Sequence, residues 1–277
     1  MVTSSPPDGR LTERRLERWS GGSSSSVSDE LVKEEPLELR AHGESLAIIM
    51  RTLGHDLELL AGLLHAEGVL RADDGLGHLS VVDPQELAEL ERGNVVELHL
   101  PQELVRERWS ERKVMTSSAC GVCGASALAI LEGLATPVLS DLQWSHSQIS
   151  MVPDELQKHQ AVFQRSGALH GAALFNKAGE VMVCREDVGR HNAVDKVVGW
   201  ARGQELLPLS NCVLGVSGRL SYEIVHKAIT AGIPIIVAVS APTSLAVDLA
   251  ERWRVTLAGF VRGDGFNVYS HGSRITT

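Results

Sequence analysis

Residues 212–239 read CVLGVSGRLSYEIVHKAITAGIPIIVAV, and this stretch decides the fold. Its first apolar run, Cys212–Val216, predicts a strand, and the helix-forming run Tyr222–Ala231 predicts a helix. The last run, Pro234–Val239, is short and β-branched, which is typical of a buried strand. A strand, a helix and a second strand in this order predict two parallel strands joined by a right-handed crossover.

The same alternation continues on both sides of this unit. Apolar spacing predicts a helix at Pro153–Arg165, strands at Ala168–Phe175 and Glu180–Arg185, helices at His191–Arg202 and Ser244–Arg252, and a strand pair within Leu257–Tyr269. Strands that alternate with helices indicate an α/β class, with a mostly parallel sheet covered on both faces. We assign this domain to residues 141–277.

The preceding residues have a different pattern. Leu37, Leu39 and Ala41 alternate with charged residues, which predicts a strand that ends at a turn over residues 42–44. Helical spacing over Asp56–Glu67 and a further strand at Val95–Leu100 complete a smaller N-terminal α+β portion, residues 29–140. Residues 1–28 are polar and serine-rich, and we expect a disordered tail there.

Composition excludes several classes of protein. The chain has 277 residues, of which 43% are hydrophobic and 22% charged, as in a globular protein. A net charge of −9 excludes a broad nucleic-acid-binding surface, and 4% aromatic residues argue against a base-stacking platform. No apolar run is long enough to span a bilayer, and residues 1–28 lack the apolar core of a secretory signal. We therefore expect a cytoplasmic protein with neither membrane nor nucleic-acid partners.

Two cysteines lie in a glycine-bracketed stretch, Cys120-Gly121-Val122-Cys123-Gly124, ahead of a helix-forming run. The start of a helix stabilises a thiolate, which is the reactive form of cysteine. Zinc would need a second ligand pair, and the sequence has no second CxxC and no HxxxH. Cys184 and Cys212 fall in strand-like apolar runs, where structural cysteine is usual. A nucleophilic or sulfur-carrying thiol is favoured, and metal binding and redox activity remain open as alternatives.

Polar clusters follow the predicted strands, where ligands bind in open α/β sheets. In residues 185–196, His191 and Asp195 are four apart, so a carboxylate could orient an imidazole on one helix face. The alternative is a helix cap with surface ion pairs. His170 matches the position of the zinc-binding histidine of deaminases, but the glutamate two residues on and the P-C-x-x-C are absent. We therefore expect His170 to have a packing role.

Two further loops have the composition of anion-binding turns. Ser217, Gly218 and Arg219 lie between a strand and a helix, and Ser240 lies in the corresponding loop one crossover later. Ordinary capping explains either loop alone, but the pair predicts a nucleotide-sized cleft. A hairpin over residues 259–267 places Arg262 beside Asp264, a pair able to contact a guanine edge and a phosphate.

Together these stretches resemble the FdhD family, the accessory sulfurtransferases required for active formate dehydrogenase. The resemblance covers about Glu30–Arg274. It is carried by residues 34–37, 120–124, 185–196, 217–223, 231–234, 239–249 and 262–269. The chain departs from the family pattern at Met115, where a tyrosine is expected, at Ala119, where a hydroxyl residue is expected, and at Gly171, where alanine is usual.

The resemblance implies a cytidine-deaminase-like three-layer α/β/α domain and a homodimer. It implies that Cys120, assisted by Cys123, takes sulfur from a cysteine desulfurase as a persulfide. The sulfur passes to the metal of the molybdenum bis(molybdopterin guanine dinucleotide) cofactor, a bound substrate, for the formate dehydrogenase catalytic subunit, and no permanently bound metal is expected. The resemblance places cofactor binding on Phe260, Val261, Arg262, Gly263, Asp264 and Gly265. The alternative is a non-catalytic chaperone that holds the cofactor without moving sulfur.

Overall fold

The protein is described by a computed structural model that covers residues 9–71, 74, 76–82, 93–111 and 136–277. Its N-terminal elements are β1 (Leu11–Ser20), β2 (Ser23–Val32), β3 (Glu34–Ala41), β4 (Glu44–Thr52), α1 (Asp56–Ala66), a 3-10 turn (Leu76–His78), β5 (Leu79–Val81), β6 (Val95–Leu98) and α2 (Gln102–Glu111). Four of these strands form one sheet in the order β4-β3-β6-β5.

The alternation of apolar residues in β3 determines how this sheet packs. Leu37 and Leu39 are fully buried and form one core with Leu60 and Leu64 of α1. The turn between β3 and β4 places His42 and Gly43 at φ 52° and 77°, the left-handed pair that tight hairpins require. The predicted strand, turn and helix are confirmed.

The expectation of a disordered tail over residues 1–28 is wrong for residues 11–28. Strands β1 and β2 pair antiparallel along their whole length, from Leu11 opposite Val32 to Ser20 opposite Ser23. Gly21 and Gly22 form the turn with φ of 58° and 82°. Most side chains of this hairpin are exposed. Backbone pairing therefore defines the hairpin, and the apolar pattern that identifies a half-buried strand is absent.

The C-terminal elements begin after residue 136. They are β7 (Trp144–Ser145), α3 (His146–Lys158), α4 (Ala161–Ser166), β8 (His170–Phe175), β9 (Val181–Asp187), α5 (Arg190–Gly203), β10 (Val213–Val216), α6 (Tyr222–Thr230), β11 (Ile235–Ala238), α7 (Ser244–Trp253), β12 (Thr256–Arg262), β13 (Gly265–Ser270), a 3-10 turn (Gly272–Arg274) and β14 (Ile275–Thr276).

Six strands form the second sheet, in the order β13-β12-β11-β10-β8-β9. Strands β10, β11 and β12 are parallel to one another, as predicted. The other three pairings are antiparallel, so the expectation of a mostly parallel sheet is wrong. Short connections explain two of these pairings: β8–β9 and β12–β13 are hairpins, and a parallel pair needs a crossover of a dozen or more residues. The third antiparallel pair, β8 and β10, joins strands that are not consecutive in the chain.

Helices cover both faces of the six-stranded sheet, as predicted. On one face, residues of α5, α6 and α7 share a core with Leu174, Leu214 and Ile236 of the sheet. On the other face, Ile149 and Val152 of α3 share a second core with Phe175, Val213 and Ile235 of the sheet. Successive side chains of a strand point to opposite faces, so each strand contributes to both cores. The predicted helix Pro153–Arg165 is in fact two helices, because the backbone leaves the helical conformation at Gln160, which has a ψ of 68°. Helix α3 also starts earlier than predicted, where Ser145 and Gln148 form a capping box.

The N-terminal part joins the C-terminal part where α1 crosses α5. A Cβ at Gly62 would lie 1.9 Å from the carbonyl oxygen of Asp195, and a Cβ at Gly199 would lie 1.8 Å from that of Glu58. Glycine at both positions therefore permits the two helices to touch through their backbones. Within the described residues, no helix is long and apolar enough to cross a membrane.

Candidate functional site

The loops that follow β10 and β11 lie side by side, as the sequence predicted. The backbone N–H of Leu220 donates to the carbonyl of Ala241 at 3.1 Å, and that of Thr243 donates to the carbonyl of Leu220 at 3.0 Å. Ser221 precedes α6 and makes no side-chain cap hydrogen bond to it, and the start of this helix, the positive end of its dipole, lies at the same place. Two strand–loop–helix units thus share one edge of the sheet.

The β12–β13 hairpin starts at this same edge. The N–H of Phe260 donates to the carbonyl of Ser240 at 3.2 Å, and a Cβ at Gly259 would lie 3.1 Å from that oxygen. Phe260 is 42% exposed, with a left-handed φ of 55°. Among the residues predicted to bind the cofactor here, Val261 is fully buried, so its side chain belongs to the core. The hairpin residues Arg262, Gly263, Asp264 and Gly265 are exposed.

The start of β8 completes the edge on its other side. The N–H of Gly171 donates to Ser217 Oγ at 2.9 Å, and the N–H of Ser217 donates back to the carbonyl of Gly171 at 3.0 Å. A Cβ at Gly218 would lie 3.4 Å from Arg190 and 3.5 Å from His170 Nδ1. Ser217 and Gly218 are therefore at the site. His170, for which the sequence predicted only a packing role, is there too, and so is Arg190 of the polar cluster 185–196.

The predicted pairing of His191 with Asp195 is wrong. His191 Nε2 lies 2.7 Å from Glu223 Oε2 and 3.1 Å from Ser221 Oγ. Asp195 is only 2% exposed and accepts a hydrogen bond from Lys227 Nζ at 2.6 Å. His191 and Asp195 do share a helix face, but that face packs on α6, whose residues 223 and 227 are also four apart.

This arrangement sets the charge of two carboxyl groups. The hydrogen bond with His191 lowers the pKa of Glu223, against the effect of burial. Burial raises the pKa of Asp195, and the charge of Lys227 opposes that rise. Glu223 therefore orients His191 at the site, whereas Asp195 stabilises the contact between α5 and α6 behind it.

The turn from β9 into α5 is held by the buried carboxylate of Asp187. Asp187 is 0% exposed and pairs with the 1% exposed Lys196 at 2.7 Å. It also accepts hydrogen bonds from the N–H of Thr52 at 3.1 Å, the N–H of Gly189 at 2.9 Å and Asn192 Nδ2 at 2.9 Å. Because Thr52 ends β4, this cluster fixes the turn to the N-terminal part and so positions Arg190 and His191.

Positive charge collects at the edge. Within the described residues, neither Arg190 nor Arg219 forms an ion pair, and Arg190 Nε is buried without a hydrogen-bond partner. Burial lowers the pKa of His170, and the charges of Arg190, His191 and Arg219 lower it further. His170 is therefore a neutral imidazole at pH 7. The arginines, the helix start and the loops make this edge suited to an anionic ligand despite the acidic chain.

A cavity of about 480 Å³ opens beside the edge, between α3, α4 and the sheet. Its lining includes apolar residues of both helices, together with His170, Ser217 and Val239. Gln160 also lines it; this side chain is 3% exposed, and its Nε2 has no hydrogen-bond partner. A Cβ at Gly171 would lie 2.5 Å from Gln160 Cδ, so Gly171 makes room for the amide. The volume is that of a small-molecule site.

Cys120 and Cys123 lie outside the described residues. The other two cysteines are unreactive in the way that the sequence predicted. Burial raises the pKa of Cys184 to about 12, and burial also raises the pKa of Cys212, which is 8% exposed. Neither is a thiolate at neutral pH.

The fold and the edge define an α/β protein with a candidate anion-binding site, and comparison with known proteins supplies the family. The model of the FdhD/NarQ family matches residues 32–276. The chain is 46% identical over 272 residues to the sulfur carrier protein FdhD of Streptomyces avermitilis, covering 96% of each. It is 44% identical over 254 residues to that of Sulfurisphaera tokodaii, covering 90% of this chain and 93% of the relative. The chain therefore belongs to the FdhD/NarQ family.

A solved structure supports the same fold. The crystal structure of a putative formate dehydrogenase accessory protein from Desulfotalea psychrophila matches with a TM-score of 0.72. The match covers 96% of this chain and 99% of that one, at 23% sequence identity. The chain thus shares its mixed α/β architecture with the Desulfotalea psychrophila protein.

Proposed function

We propose that the protein is an accessory sulfurtransferase for formate dehydrogenase. Cys120 accepts sulfur from a cysteine desulfurase as a persulfide, with Cys123 assisting, and passes it to the molybdenum bis(molybdopterin guanine dinucleotide) cofactor. The relatives' names, sulfur carrier and formate dehydrogenase accessory protein, support this assignment. The proposal includes a homodimer in the cytoplasm, a cytidine-deaminase-like C-terminal domain and the formate dehydrogenase catalytic subunit as the receiving partner.

The observation that carries the proposal is the state of the cysteines. A sulfur carrier needs a thiolate, and burial holds both Cys184 and Cys212 in the protonated form near neutral pH. The role therefore falls on the glycine-bracketed pair Cys120 and Cys123. The family membership of the chain independently supports a sulfur-carrying role for it.

The chemistry consists of two displacements at sulfur. The Cys120 thiolate attacks the terminal sulfur of the desulfurase persulfide, a new S–S bond forms, and the desulfurase cysteine leaves as a thiolate. The terminal sulfur then bonds to the metal of the cofactor, and Cys120 leaves as a thiolate. That sulfur is reduced to sulfide by two electrons from the metal, which is oxidised.

The edge of the six-stranded sheet supports the cofactor-binding half of the proposal. Arg190 and Arg219 supply positive charge for the pyrophosphate, and the start of α6 adds the positive end of its helix dipole. Arg262 and Asp264, both exposed on the hairpin, follow Phe260 by two and four residues, and the N–H of Phe260 donates to the carbonyl of Ser240. A guanine nucleotide bound along this edge would contact three consecutive loops of the sheet.

A non-catalytic chaperone is the second candidate, because the same edge would serve it. The test replaces Cys120 with alanine and uses Cys184→Ala as the matched control. Formate dehydrogenase activity is measured in cells whose enzyme depends on this protein, and GDP binding is measured by calorimetry. We expect Cys120→Ala to abolish activity with GDP binding unchanged, and Cys184→Ala to retain both. Activity that survives in Cys120→Ala would establish the chaperone.

A further inference from the structure

A second cavity opens at the opposite edge of the six-stranded sheet. It has a volume of about 470 Å³ and lies where α7 ends and β12 begins. Its lining is polar apart from Leu142 and includes Asp141, Gln143, Arg254, His271, Ser273 and Arg274. Strand β12 runs from Thr256 at this edge towards Phe260 at the candidate site, a separation on the order of 13 Å. The two sites are therefore distinct.

Two arginines, Arg254 and Arg274, make this cavity positively charged. Neither Arg254 nor Arg274 forms an ion pair with any carboxylate in the described part of the chain. Arg274 NH1 donates to Thr256 Oγ1 at 3.3 Å, but Arg274 Nε is buried and has no partner. A buried guanidinium N–H without an acceptor is costly unless a ligand satisfies it.

The positive charge of the cavity is not balanced by its surroundings. Burial lowers the pKa of Arg274, and the charge of Arg254 lowers it further. The charge of Asp141 raises the pKa of Arg274, but this influence is weaker than that of burial or of Arg254. His271 Nε2 lies 2.8 Å from the carbonyl of Glu251 and 3.4 Å from its carboxylate, and an imidazole carries no negative charge that could offset the arginines. With Asp141 included, two guanidinium groups and one carboxylate leave a net charge of about +1.

We propose that this cavity binds a phosphoryl group, held by Arg254 and Arg274. Guanidinium forks match the geometry of phosphate oxygens and form charge-assisted hydrogen bonds with them. The remaining space, next to Gln143 and Ser273, accommodates the organic part of a small phosphate ester. Ser140 takes no part, because its hydroxyl already donates to the carbonyl of Ser210 at 2.6 Å.

The test measures binding of radiolabelled ribose 5-phosphate and inorganic phosphate to the full chain by equilibrium dialysis at low ionic strength. Arg254→Gln and Arg274→Gln are each expected to raise the dissociation constant of both probes about ten- to a hundredfold, since each removes charge-assisted hydrogen bonds. Tighter binding of the ester would identify a small organic phosphate as the ligand, and equal binding would identify the free ion. Both results support the phosphoryl site.

Two control variants separate this site from others. Arg106→Gln removes an exposed charge on α2, and Arg219→Gln removes the exposed arginine of the candidate functional site. Arg106→Gln is expected to leave the binding of both probes unchanged, and Arg219→Gln is expected to leave unchanged the part of the binding that Arg254→Gln removes. Arg254 is exposed, so Arg254→Gln remains informative if Arg274→Gln fails to fold. The proposal is overturned if the wild type binds neither probe or if Arg254→Gln binds both as tightly as the wild type does. The proposed sulfur transfer is unaffected by that result.

Discussion

Replacing Asp187 with alanine tests how the candidate site is held in place. The carboxylate is 0% exposed and is shared among Lys196, Thr52, Gly189 and Asn192. Its removal leaves the ammonium of Lys196, which is 1% exposed, with only the backbone carbonyls of Thr52 at 2.9 Å and of Glu186 at 3.4 Å.

The expected loss in the free energy of unfolding is about 3–5 kcal/mol, the usual cost of leaving one member of a buried ion pair uncompensated. Adding Lys196→Met to Asp187→Ala removes the stranded charge, so the double variant should be more stable than Asp187→Ala alone. The free energy of unfolding of the double variant should stay below that of the wild type, because the N–H groups of Thr52 and Gly189 still lack their acceptor.

Urea denaturation followed by circular dichroism measures these differences. Asp248→Ala, which removes an exposed carboxylate on α7, serves as the control and should stay within about 0.5 kcal/mol of the wild type. A loss below about 1 kcal/mol for Asp187→Ala, or a double variant less stable than that single one, would refute the role assigned to the ion pair.

Two further predictions concern the contact between α1 and the C-terminal part. Burial raises the pKa of Glu58, but hydrogen bonds and charges of Arg185 and His55 lower it overall from 4.5 to about 2. The stability that the ionised Glu58 carboxylate gives the folded state is therefore present above pH 4.5 and is lost as the pH falls towards 2. Glu58→Gln should cost roughly 2 kcal/mol at pH 7 and almost nothing near pH 2, as measured by denaturant titrations; a pH-independent difference would contradict this. Gly199→Ala should cost about 3 kcal/mol or more, because its Cβ would meet the carbonyl of Glu58 at 1.8 Å, whereas Gly77→Ala, with open space, should be nearly neutral in thermal melts. Equal melting temperatures for these two variants would contradict the close helix contact.

The sequence predicted those parts of the site that follow directly from local pattern. The loops at Ser217 and Ser240 each stand between an apolar strand and a helix, so their shared edge follows from parallel pairing of β10 and β11. The turn after β3 was likewise predictable, because left-handed residues are needed there.

The sequence did not predict contacts that depend on how distant elements pack. Asp195 was paired with His191 because both lie on one helix face, but the partner helix α6 supplies Glu223 to one and Lys227 to the other. The position of Arg190 at the edge depends on Asp187 binding Thr52 of another strand. The β1–β2 hairpin was missed because its stability comes from backbone pairing, which leaves no apolar periodicity.

Intact-mass analysis after incubation with a cysteine desulfurase and cysteine tests sulfur carriage most directly. The wild type and Cys184→Ala should each gain one sulfur atom, about 32 Da, removable by reductant. Cys120→Ala should gain none, because the persulfide is assigned to Cys120 and only an assisting role to Cys123, and burial keeps Cys184 and Cys212 protonated. A wild-type protein that gains no sulfur, or a Cys120→Ala variant that gains as much as the wild type, would contradict the assignment of Cys120 as the carrier.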